Sequence, residues 1–423
     1  MLIGVGQEII TPKVGGFLFG YNDKTKSTSV HDDLNVTALI IKTEETSAVL
    51  ISFAVCLIHE SLVNEIREKV KAVTGIENVI VSATHTHSGP PTTIYSNLKS
   101  FGAMDREYCD NIFIPKCIEA VKTANSNLKP AKMGVGTTES KVGINRRQLH
   151  ADDHVSLGQN PWDHYDSTMT VISFVDEDLK SIANIIHVGA HCTAAGINHE
   201  ITRDWAGVMV DRLDTESGGI TLFLNGTLGD VGPRIPSGGS TGNLQLAMEL
   251  GGLAGIDAVR AFKSIKAYYD EPLKVAQGDF EVPFVPPFPK EDIPDMIESC
   301  TEWDGYKRAS LEKLADMYEK GDFGADSLKF RQVIFNIGPV VLIPYPFEVS
   351  SEIGLRLRSY SPFAYTLTLS CTNGSNSYLP AMSQISRGGY EIKSFLWFRP
   401  RQLPNDIDQI LIEKNLKLME ELK

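Results

Sequence analysis

The stretch VIVSATHTHSGP, residues Val79–Pro90, joins a run of β-branched residues directly to two histidines, His85 and His87. The apolar run predicts a buried strand, because such runs are typical of strands that are covered on both faces. On an extended chain, side chains at positions i and i+2 point to the same side. Both imidazoles would then face one point in space, as two ligands of one metal ion must.

Seven further apolar runs read as buried strands, and helical spacing lies between several of them. These runs cover residues 35–41, 48–53, 169–175, 182–188, 220–224, 333–343 and 365–371. Apolar residues at helical spacing occupy residues 58–75, 246–262 and 407–422. Strands that alternate with helices predict an α/β fold, a layered mixed β-sheet flanked by helices.

Length and composition limit the class of protein. A chain of 423 residues can form one large domain or two coupled subdomains. A proline-rich segment that starts at Glu281 and reaches residue 305 predicts a linker or a lid. The six cysteines form no CxxC pair, so we expect buried thiols rather than disulfides or a cysteine-type zinc finger.

The net charge argues against some partners and locations. There are 40 basic and 53 acidic residues, which gives a net charge of −13, so nucleic acid is an unfavourable partner. No apolar run is long enough for a membrane anchor, and the first residues lack the features of a signal peptide. We expect a cytoplasmic protein.

Polar residues follow other strands in the same way. The run at 182–188 leads to His191, with His187 as the alternative, and later runs lead to Asp230, Glu348 and Tyr378. Ligands of α/β sheets bind outside the carboxyl ends of the strands, so these side chains are expected to meet in one crevice. Each of them also has an ordinary structural explanation as a turn, helix-end or half-buried residue.

Three histidines and a carboxylate suit zinc, although such ligands also accept manganese, iron or nickel. A water molecule activated by the metal makes hydrolysis the natural chemistry. A nucleophile elbow is not indicated, because the Gly-x-Ser-x-Gly match at Ser240 follows the turn residues 236–239 rather than an apolar strand run, and this argues against a serine hydrolase. The chain also lacks a phosphate-binding P-loop, which argues against a nucleotide site.

Taken together, these motifs resemble the neutral/alkaline non-lysosomal ceramidases. The resemblance covers most of the chain, from about Gly4 to Glu391, and THTHSGP together with the Gly-Asp-Val turn is its most specific part. The motifs, in family order, are GVGQEIITP, GY followed by VHDDL, ATHTHSGP, GINRR, GAHCT, FLNGTLGDVGPR, PFEVSSEIGLRLR, TNGSNSYLP and RGGYE.

The resemblance implies a single catalytic α/β domain over residues 1–423 that holds one zinc ion per chain. The metal ligands that it implies are His85, His87, His191, Glu348 and Tyr378.

The same resemblance gives roles to further residues. Asp230 would orient a ligand, a water or its own loop, and Arg146 would pair with a polar substrate group unless it forms a surface salt bridge. Tyr390 looks like a structural or wall residue. His31 would support the site or lie in a surface turn.

Two departures from the family pattern affect the expected reaction. The ceramidases proper carry a serine where this chain has Gly232, so we expect metal-activated water as the nucleophile, Glu348 as the proton-handling group and Tyr378 as the oxyanion donor. They also add a C-terminal β-sandwich, which we do not expect here.

The sequence therefore predicts a zinc-dependent hydrolase that cleaves a linear amide bond. Its substrate would be a small acyl compound, with N-acyl lipids included. The alternatives are a zinc-dependent esterase or sugar deacetylase and a non-catalytic binding protein on the same scaffold.

Overall fold

A computed structural model describes residues 1–22, 24–94, 103–301 and 304–423. The strands in these residues are, in chain order, β1 (Leu2–Ile9), β2 (Ser29–Val30), β3 (Asn35–Lys42), β4 (Ser47–Phe53), β5 (Asn78–Ala83), β6 (Lys129–Pro130), β7 (Lys132–Glu139), β8 (Gly143–Asn145), β9 (Arg147–Leu149), β10 (Val155–Leu157), β11 (Thr168–Val175), β12 (Ser181–Val188), β13 (Glu200–Ile201), β14 (Ile220–Asn225), β15 (Val231–Pro233), β16 (Leu273–Pro283), β17 (Ser327–Ile337), β18 (Val340–Pro344), β19 (Glu348–Val349), β20 (Tyr365–Leu369) and β21 (Tyr378–Leu379).

The helices are α1 (Glu60–Thr74), α2 (Arg106–Tyr108), α3 (Ile114–Ser126), α4 (Asp204–Ser217), α5 (Leu244–Lys263), α6 (Ile293–Glu298), α7 (Gly305–Lys320), α8 (Ser351–Tyr360), α9 (Met382–Ile385), α10 (Tyr390–Trp397) and α11 (Ile407–Glu420). A π-helical turn over Cys109–Phe113 joins α2 to α3, and a 3-10 turn over Lys290–Asp292 precedes α6. None of the helices in the described residues is long and apolar enough to cross a bilayer.

One connectivity occurs three times along the chain. Each copy has three strands in an antiparallel meander, a crossover helix, and a fourth strand that pairs in parallel with the third. The copies are β1, β3, β4, α1 and β5, then β7, β11, β12, α4 and β14, then β16, β17, β18, α8 and β20. Because the third and fourth strands are parallel, their carboxyl ends open at the same edge of each sheet. Each copy therefore sends two loops to one edge.

The three sheets share one apolar core. Side chains from all of them pack in a single buried cluster, for example Leu50, Ile185 and Leu342. The other faces are covered by α1 and α3, by α4 and α5, and by α8 and α11. The α/β class predicted from the sequence is confirmed, and the sheet structure consists of three main sheets rather than one.

Helix α1 shows how local sequence sets these elements. The Nδ1 of His59 accepts a hydrogen bond from the Ser61 N–H at 3.2 Å, which caps the first turn. Gly75 ends the helix with φ at 75°, a left-handed conformation that glycine adopts without steric cost. Buried residues such as Leu62 and Ile66 face the first sheet, and each contributes about 1.5–3 kcal/mol of transfer free energy.

The structure corrects two details of the strand predictions. The run at 333–343 is not one strand but the hairpin of β17 and β18, which turns at Gly338 with φ at 52°. The first strand of each copy was missed. Those strands, β1, β7 and β16, mix glycine and polar residues with apolar ones, which conceals the pattern of a buried strand.

The proline-rich segment forms part of an excursion from the β16/β17 hairpin. Pro283 still pairs with Ser327, and it is tolerated because β16 is an edge strand. Residues 284–326, here called the insertion, contain the 3-10 turn, α6 and α7. The predicted lid or linker at 281–305 overlaps its first half, and residues 302–303 of that range lie outside the described residues.

Candidate metal centre

The loop after β5 carries His85 and His87, which are buried and half-buried. The extended geometry expected there is wrong, because His85 has φ at 71°. Its Nε2 nevertheless lies 3.2 Å from the Nε2 of His87. Two imidazole nitrogens at this distance repel unless a proton or a cation lies between them. A left-handed non-glycine residue costs about 1–2 kcal/mol, and such strain concentrates at functional sites.

The loop after β12 brings His191 to the same place. Its Nε2 lies 3.1 Å from the Oε2 of Glu348, while its Nδ1 donates to the Leu228 carbonyl at 2.8 Å. His85 is held in the same way, with Nδ1 donating to the Cys56 carbonyl at 2.9 Å. Both rings therefore present the Nε2 lone pair to the cluster. A backbone carbonyl on the other nitrogen is the usual support of a metal-bound histidine.

Two short strands position the remaining donors. Glu348 in β19 is the direct parallel partner of Tyr378 in β21. The Oε2 of Glu348 lies 3.5 Å from the Nε2 of His85, and the hydroxyl of Tyr378 lies 3.4 Å from the Nε2 of His191. The five residues expected as metal ligands are thus brought together.

The donor atoms of His85, His191 and Glu348 lie within 4.8 Å of one another, and all three residues are buried. This set of two histidines and one glutamate is typical of catalytic zinc sites, where a further position is left for water or substrate. Cys56, His85 and His87 form a second group within the same limit. His87 therefore stands beside the first set.

Charge and burial favour the metal-binding protonation states. Burial lowers the pKa of His85 and, more strongly, that of His87, and it lowers the pKa of His191 to about 3. Burial by itself raises the pKa of Glu348, but the neighbouring His85 and His191 rings outweigh it, so the net shift is downward. At neutral pH the site offers neutral imidazoles and a carboxylate.

Arg146 is buried, so its expected alternative as a surface salt bridge is wrong. Its Nε donates to Glu391 at 2.8 Å and its Nη2 donates to the Tyr378 hydroxyl at 2.9 Å. Arg147 donates to the other oxygen of Glu391, also at 2.8 Å. Burial raises the pKa of Tyr378 well above its usual value, so the phenol stays protonated despite the adjacent guanidinium. Glu391 was not singled out from the sequence, although it adjoins Tyr390 in the RGGYE motif.

Asp230 supports the loop that carries Glu348. Its carboxylate accepts hydrogen bonds from the Ser350 hydroxyl, from the N–H and hydroxyl of Ser351, and from the Gln384 amide, at 2.7–2.9 Å. Its own backbone carbonyl accepts the Arg146 N–H at 2.8 Å. Among the roles expected for Asp230, this geometry favours holding its surroundings in place.

Two histidines named as alternatives lie elsewhere. The Nε2 of His187 contacts the Thr368 carbonyl at 2.9 Å in the core. The Nε2 of His31 is 3.4 Å from the Met248 sulfur, and its Nδ1 is 3.6 Å from Glu200 near the surface. His191 is therefore the third histidine of the site, and His31 lies in the surface turn given as its alternative.

A small cavity of about 30 Å³ opens onto the metal donors. Its polar wall contains His85, His87, Glu348 and Tyr378, and further lining residues are Phe19, Gly20, Cys56, Tyr306, Tyr390 and Phe398. Tyr390 is confirmed as a wall residue. The contributions of Phe19, Cys56, Tyr306 and Phe398 were missed, since no spacing in the sequence connects them with the histidines.

Gly232 lies close to the buried arginine. A Cβ at this position would lie 3.3 Å from the Cβ of Arg146, a tight contact with a side chain. The position at which the family pattern has serine is therefore next to Arg146.

Comparisons with known proteins point to one family. A family model described as neutral/alkaline non-lysosomal ceramidase, N-terminal, matches residues 1–243. The neutral ceramidase of Pseudomonas aeruginosa is 25% identical over 188 residues, which are 42% of this chain and 28% of that protein. Neutral ceramidase A of Dictyostelium discoideum is 26% identical over 256 residues, 55% of this chain and 36% of that protein. The matched segment thus spans about a third of these relatives.

Solved structures share the fold over nearly the whole chain. The crystal structure of the Pseudomonas aeruginosa neutral ceramidase has a TM-score of 0.76 at 19% identity and covers 98% of this chain and 73% of that one. A ceramidase complexed with C2 has a TM-score of 0.78 at 18% identity and covers 99% of this chain and 75% of the other. The family match includes His85, His87 and His191, while Glu348 and Tyr378 lie beyond it.

Proposed function

This chain belongs to the neutral/alkaline non-lysosomal ceramidase family, and we propose that it is a zinc-dependent hydrolase that cleaves a linear amide bond. In this reaction water adds to the acyl carbon, the C–N bond breaks, and the products are a carboxylate and an amine. The relatives named above are ceramidases, and the same bond type is proposed here. The metal, one per chain, would be held by His85, His191 and Glu348.

The observation that carries the proposal is the fixed orientation of two histidines. His85 and His191 each donate Nδ1–H to a backbone carbonyl and turn Nε2 toward the Glu348 side chain. Without a cation, two acceptor nitrogens and a carboxylate would be buried facing one another, which is unfavourable. When bound, zinc supplies a Lewis acid and lowers the pKa of a coordinated water.

The chain's own residues would orient the substrate and manage charge. The Tyr378 hydroxyl, held by the Arg146 guanidinium at 2.9 Å, lies where it can act as a further ligand or donate to the developing oxyanion. Burial lowers the pKa of Arg146, but the Glu391 and Glu348 carboxylates and the hydrogen bond to Tyr378 outweigh it and raise the pKa above its usual value, so Arg146 keeps its positive charge.

His87 is placed to handle a proton. Its Nε2 faces the donor set and its buried Nδ1 has no hydrogen-bond partner among the described residues. With the ring proton on Nδ1, the Nε2 that faces the donor set can accept a proton from water and return it to the leaving amine. Of the two roles expected for Glu348 from the sequence, metal ligand and proton-handling group, the first is proposed here and the second is assigned to His87.

Metal content and amide hydrolysis test the proposal together. We expect the purified protein to bind about one zinc per chain and to hydrolyse N-acyl amines, and His85→Ala to lose both, with activity reduced more than about 100-fold. His154→Ala is the matched control, because His154 is exposed and its contacts are with Asp152 and the His150 ring, away from the metal donors. Full zinc retention in His85→Ala with an intact fold would contradict the assigned ligands. Zinc binding without hydrolysis of any acyl amide would contradict the reaction.

A further inference from the structure

Residues 202–205, which follow β13 and begin α4, contact both of the loops that carry the candidate histidine ligands. The loop after β5, residues 84–88, is here called the first ligand loop. The loop after β12, residues 189–196, is here called the second ligand loop. The two loops also touch directly, where the His87 N–H donates to the Cys192 carbonyl at 3.3 Å. Residues 202–205 add contacts to each of them.

Two hydrogen bonds join residues 202–205 to the first ligand loop. The Thr86 hydroxyl donates to the Thr202 carbonyl at 2.7 Å, and the Thr202 N–H donates to the Ser88 carbonyl at 3.3 Å. Thr86 is buried and lies between the two histidines of this loop. A shift of Thr202 would therefore move the backbone that joins the two imidazoles.

Asp204 and Trp205 hold the second ligand loop. The Trp205 indole N–H donates to the His191 carbonyl at 2.9 Å. The Asp204 carboxylate accepts the N–H groups of Ala194 at 3.2 Å and Ala195 at 2.8 Å. Its Oδ1 also accepts the Trp205 N–H at 2.6 Å. One carboxylate thus accepts three backbone N–H groups, two of which belong to the second ligand loop, and hydrogen bonds to an ionised acceptor are the stronger kind.

The backbone of Asp204 is left-handed, with φ at 58°. This conformation is strained for residues other than glycine, and it persists only where the surrounding contacts enforce it. Asp204 is 1% exposed, and its N–H donates to the Thr202 hydroxyl oxygen at 3.0 Å. Strain of this kind concentrates at functional sites. Here it accompanies a carboxylate that is directed at the second ligand loop.

The Asp32 carboxylate anchors residues 202–205 from the other side. It accepts the Thr202 hydroxyl, and its Oδ1 accepts the Arg203 N–H at 3.0 Å and the Arg203 Nε at 2.9 Å. Because the Thr202 hydroxyl donates to Asp32, its oxygen is free to accept the Asp204 N–H. The VHDDL motif, which contains Asp32, therefore supports the ligand loops through residues 202–205.

We propose that Asp204 is a positioning residue of the candidate metal centre, and that residues 202–205 fix the two ligand loops relative to each other before the metal binds. The proposal rests on the zinc-dependent function proposed above and adds to it how the ligands are held. Asp204 acts through the backbone of the second ligand loop rather than as a ligand. Its effect is to reduce the rearrangement that His85 and His191 undergo when the metal binds.

Zinc affinity tests the proposal without a substrate. The chelator-treated protein is titrated with zinc against a competing chelator of known affinity, and circular dichroism verifies that each variant is folded. Asp204→Asn keeps the size of the side chain but turns an amide NH₂ group toward backbone N–H groups. We expect it to raise the zinc Kd by at least about tenfold. A smaller change would overturn the proposal.

A matched control separates positioning from a general loss of stability. Asp408 is also buried at the start of a helix, α11, and its carboxylate accepts the N–H groups of Met382 at 3.0 Å and Gln409 at 2.8 Å, together with Arg356 Nη1 at 2.7 Å. These partners lie outside both ligand loops. Asp408→Asn should therefore leave the zinc Kd unchanged. Equal increases in Asp204→Asn and Asp408→Asn would overturn the proposal.

Thr86 provides a test that does not depend on the folding of Asp204→Asn. Thr86→Val removes the hydroxyl that donates to Thr202 and keeps the shape of the side chain, so we expect the zinc Kd to rise by at least about threefold. Thr86→Ser keeps the hydroxyl and should bind zinc as the unchanged protein does. Equal affinities of the two Thr86 variants would overturn the proposed link between the ligand loops.

The zinc titration and an amide-hydrolysis assay fail in different ways. Tight zinc binding that weakens in Asp204→Asn, without hydrolysis of any acyl amide by the unchanged protein, would refute the reaction and leave the positioning role standing. Unchanged zinc affinity in Asp204→Asn, with amide hydrolysis by the unchanged protein, would refute the positioning role alone.

Discussion

The Glu391 carboxylate is the shared partner of two buried arginines next to the candidate metal centre. One oxygen accepts Arg146 Nε and the other accepts Arg147 Nη1, each at 2.8 Å. All three side chains are at most 5% exposed. Replacing Glu391 by Gln keeps the shape and removes the negative charge, which leaves two guanidinium groups in a low-dielectric region without a carboxylate between them.

The expected loss follows from these contacts. Breaking a buried ion pair costs about 3–5 kcal/mol, and the two charge-assisted hydrogen bonds weakened here are worth about 1.5–3 kcal/mol each. We therefore expect Glu391→Gln to lower the free energy of unfolding by about 3–5 kcal/mol. Because Arg146 also holds the Tyr378 hydroxyl, we expect kcat to fall by at least about tenfold, with zinc content unchanged.

Urea unfolding of the variant and the unchanged protein, at equal zinc loading, measures the first effect. Asp316→Asn is the matched control, since the Asp316–Lys320 pair is half exposed or more on both sides and should contribute less than about 1 kcal/mol. A loss below about 1 kcal/mol for Glu391→Gln would show that the arginines are well solvated or otherwise paired, and the reasoning would fail. Loss of zinc in the variant would mean that Glu391 acts on the metal ligands directly.

Two further predictions concern the pH dependence of stability and the substitution of a glycine beside His87. For the chelator-treated protein, the pKa of His191 is about 3 when folded and about 6.5 when unfolded, so the unfolded state binds more protons between these values. Stability should therefore fall as pH decreases below about 6.5, by up to about 5 kcal/mol from this residue, and urea midpoints at neutral and acidic pH that do not differ would refute it. Gly20→Ala places a Cβ 2.4 Å from the His87 ring with φ at 129° and should reduce activity by more than about tenfold. Gly15→Ala, with φ at 104° and open space around its Cβ, should cost stability alone, and equal activity losses in the two variants would refute a specific effect on His87.

The fold could be predicted where strands are buried on both faces. The strand predicted from the run that begins at Val79 is confirmed as β5, because residues 79–83 are uniformly apolar or small. The first strand of each copy could not be predicted in this way. In β7, for example, Gly134 and Gly136 stand where a Cβ would collide with the end of α5 and the residues after it, at 2.0–2.8 Å, so packing rather than strand propensity determines these residues.

The residues of the candidate site were predicted from the sequence, but the backbone features that bring them together were not. His85 and His87 were expected to align on an extended strand, yet His85 is left-handed. Glu348 and Tyr378 meet through a two-residue parallel pairing that has no signature of its own in the sequence. Tyr306 belongs to the insertion, whose packing against the rest of the protein depends on tertiary contacts. No local sequence pattern predicts such contacts.

The threefold connectivity explains why loops from all three copies meet at the candidate site. The loops after the third strands place Cys56, His191 and Glu348 three, three and four residues beyond β4, β12 and β18. His191 and Glu348 belong to the donor set, and Cys56 lies beside it. Comparable positions thus carry a thiol, an imidazole and a carboxylate, and the first copy supplies its ligand His85 from the loop after its fourth strand instead. Recurrent connectivity decides where the loops meet, since each parallel pair opens at the same edge of its sheet. The residue type in each loop then decides the chemistry. Two imidazoles and a carboxylate in these loops can bind a metal ion, whereas apolar side chains in the same loops would pack together and form no metal centre.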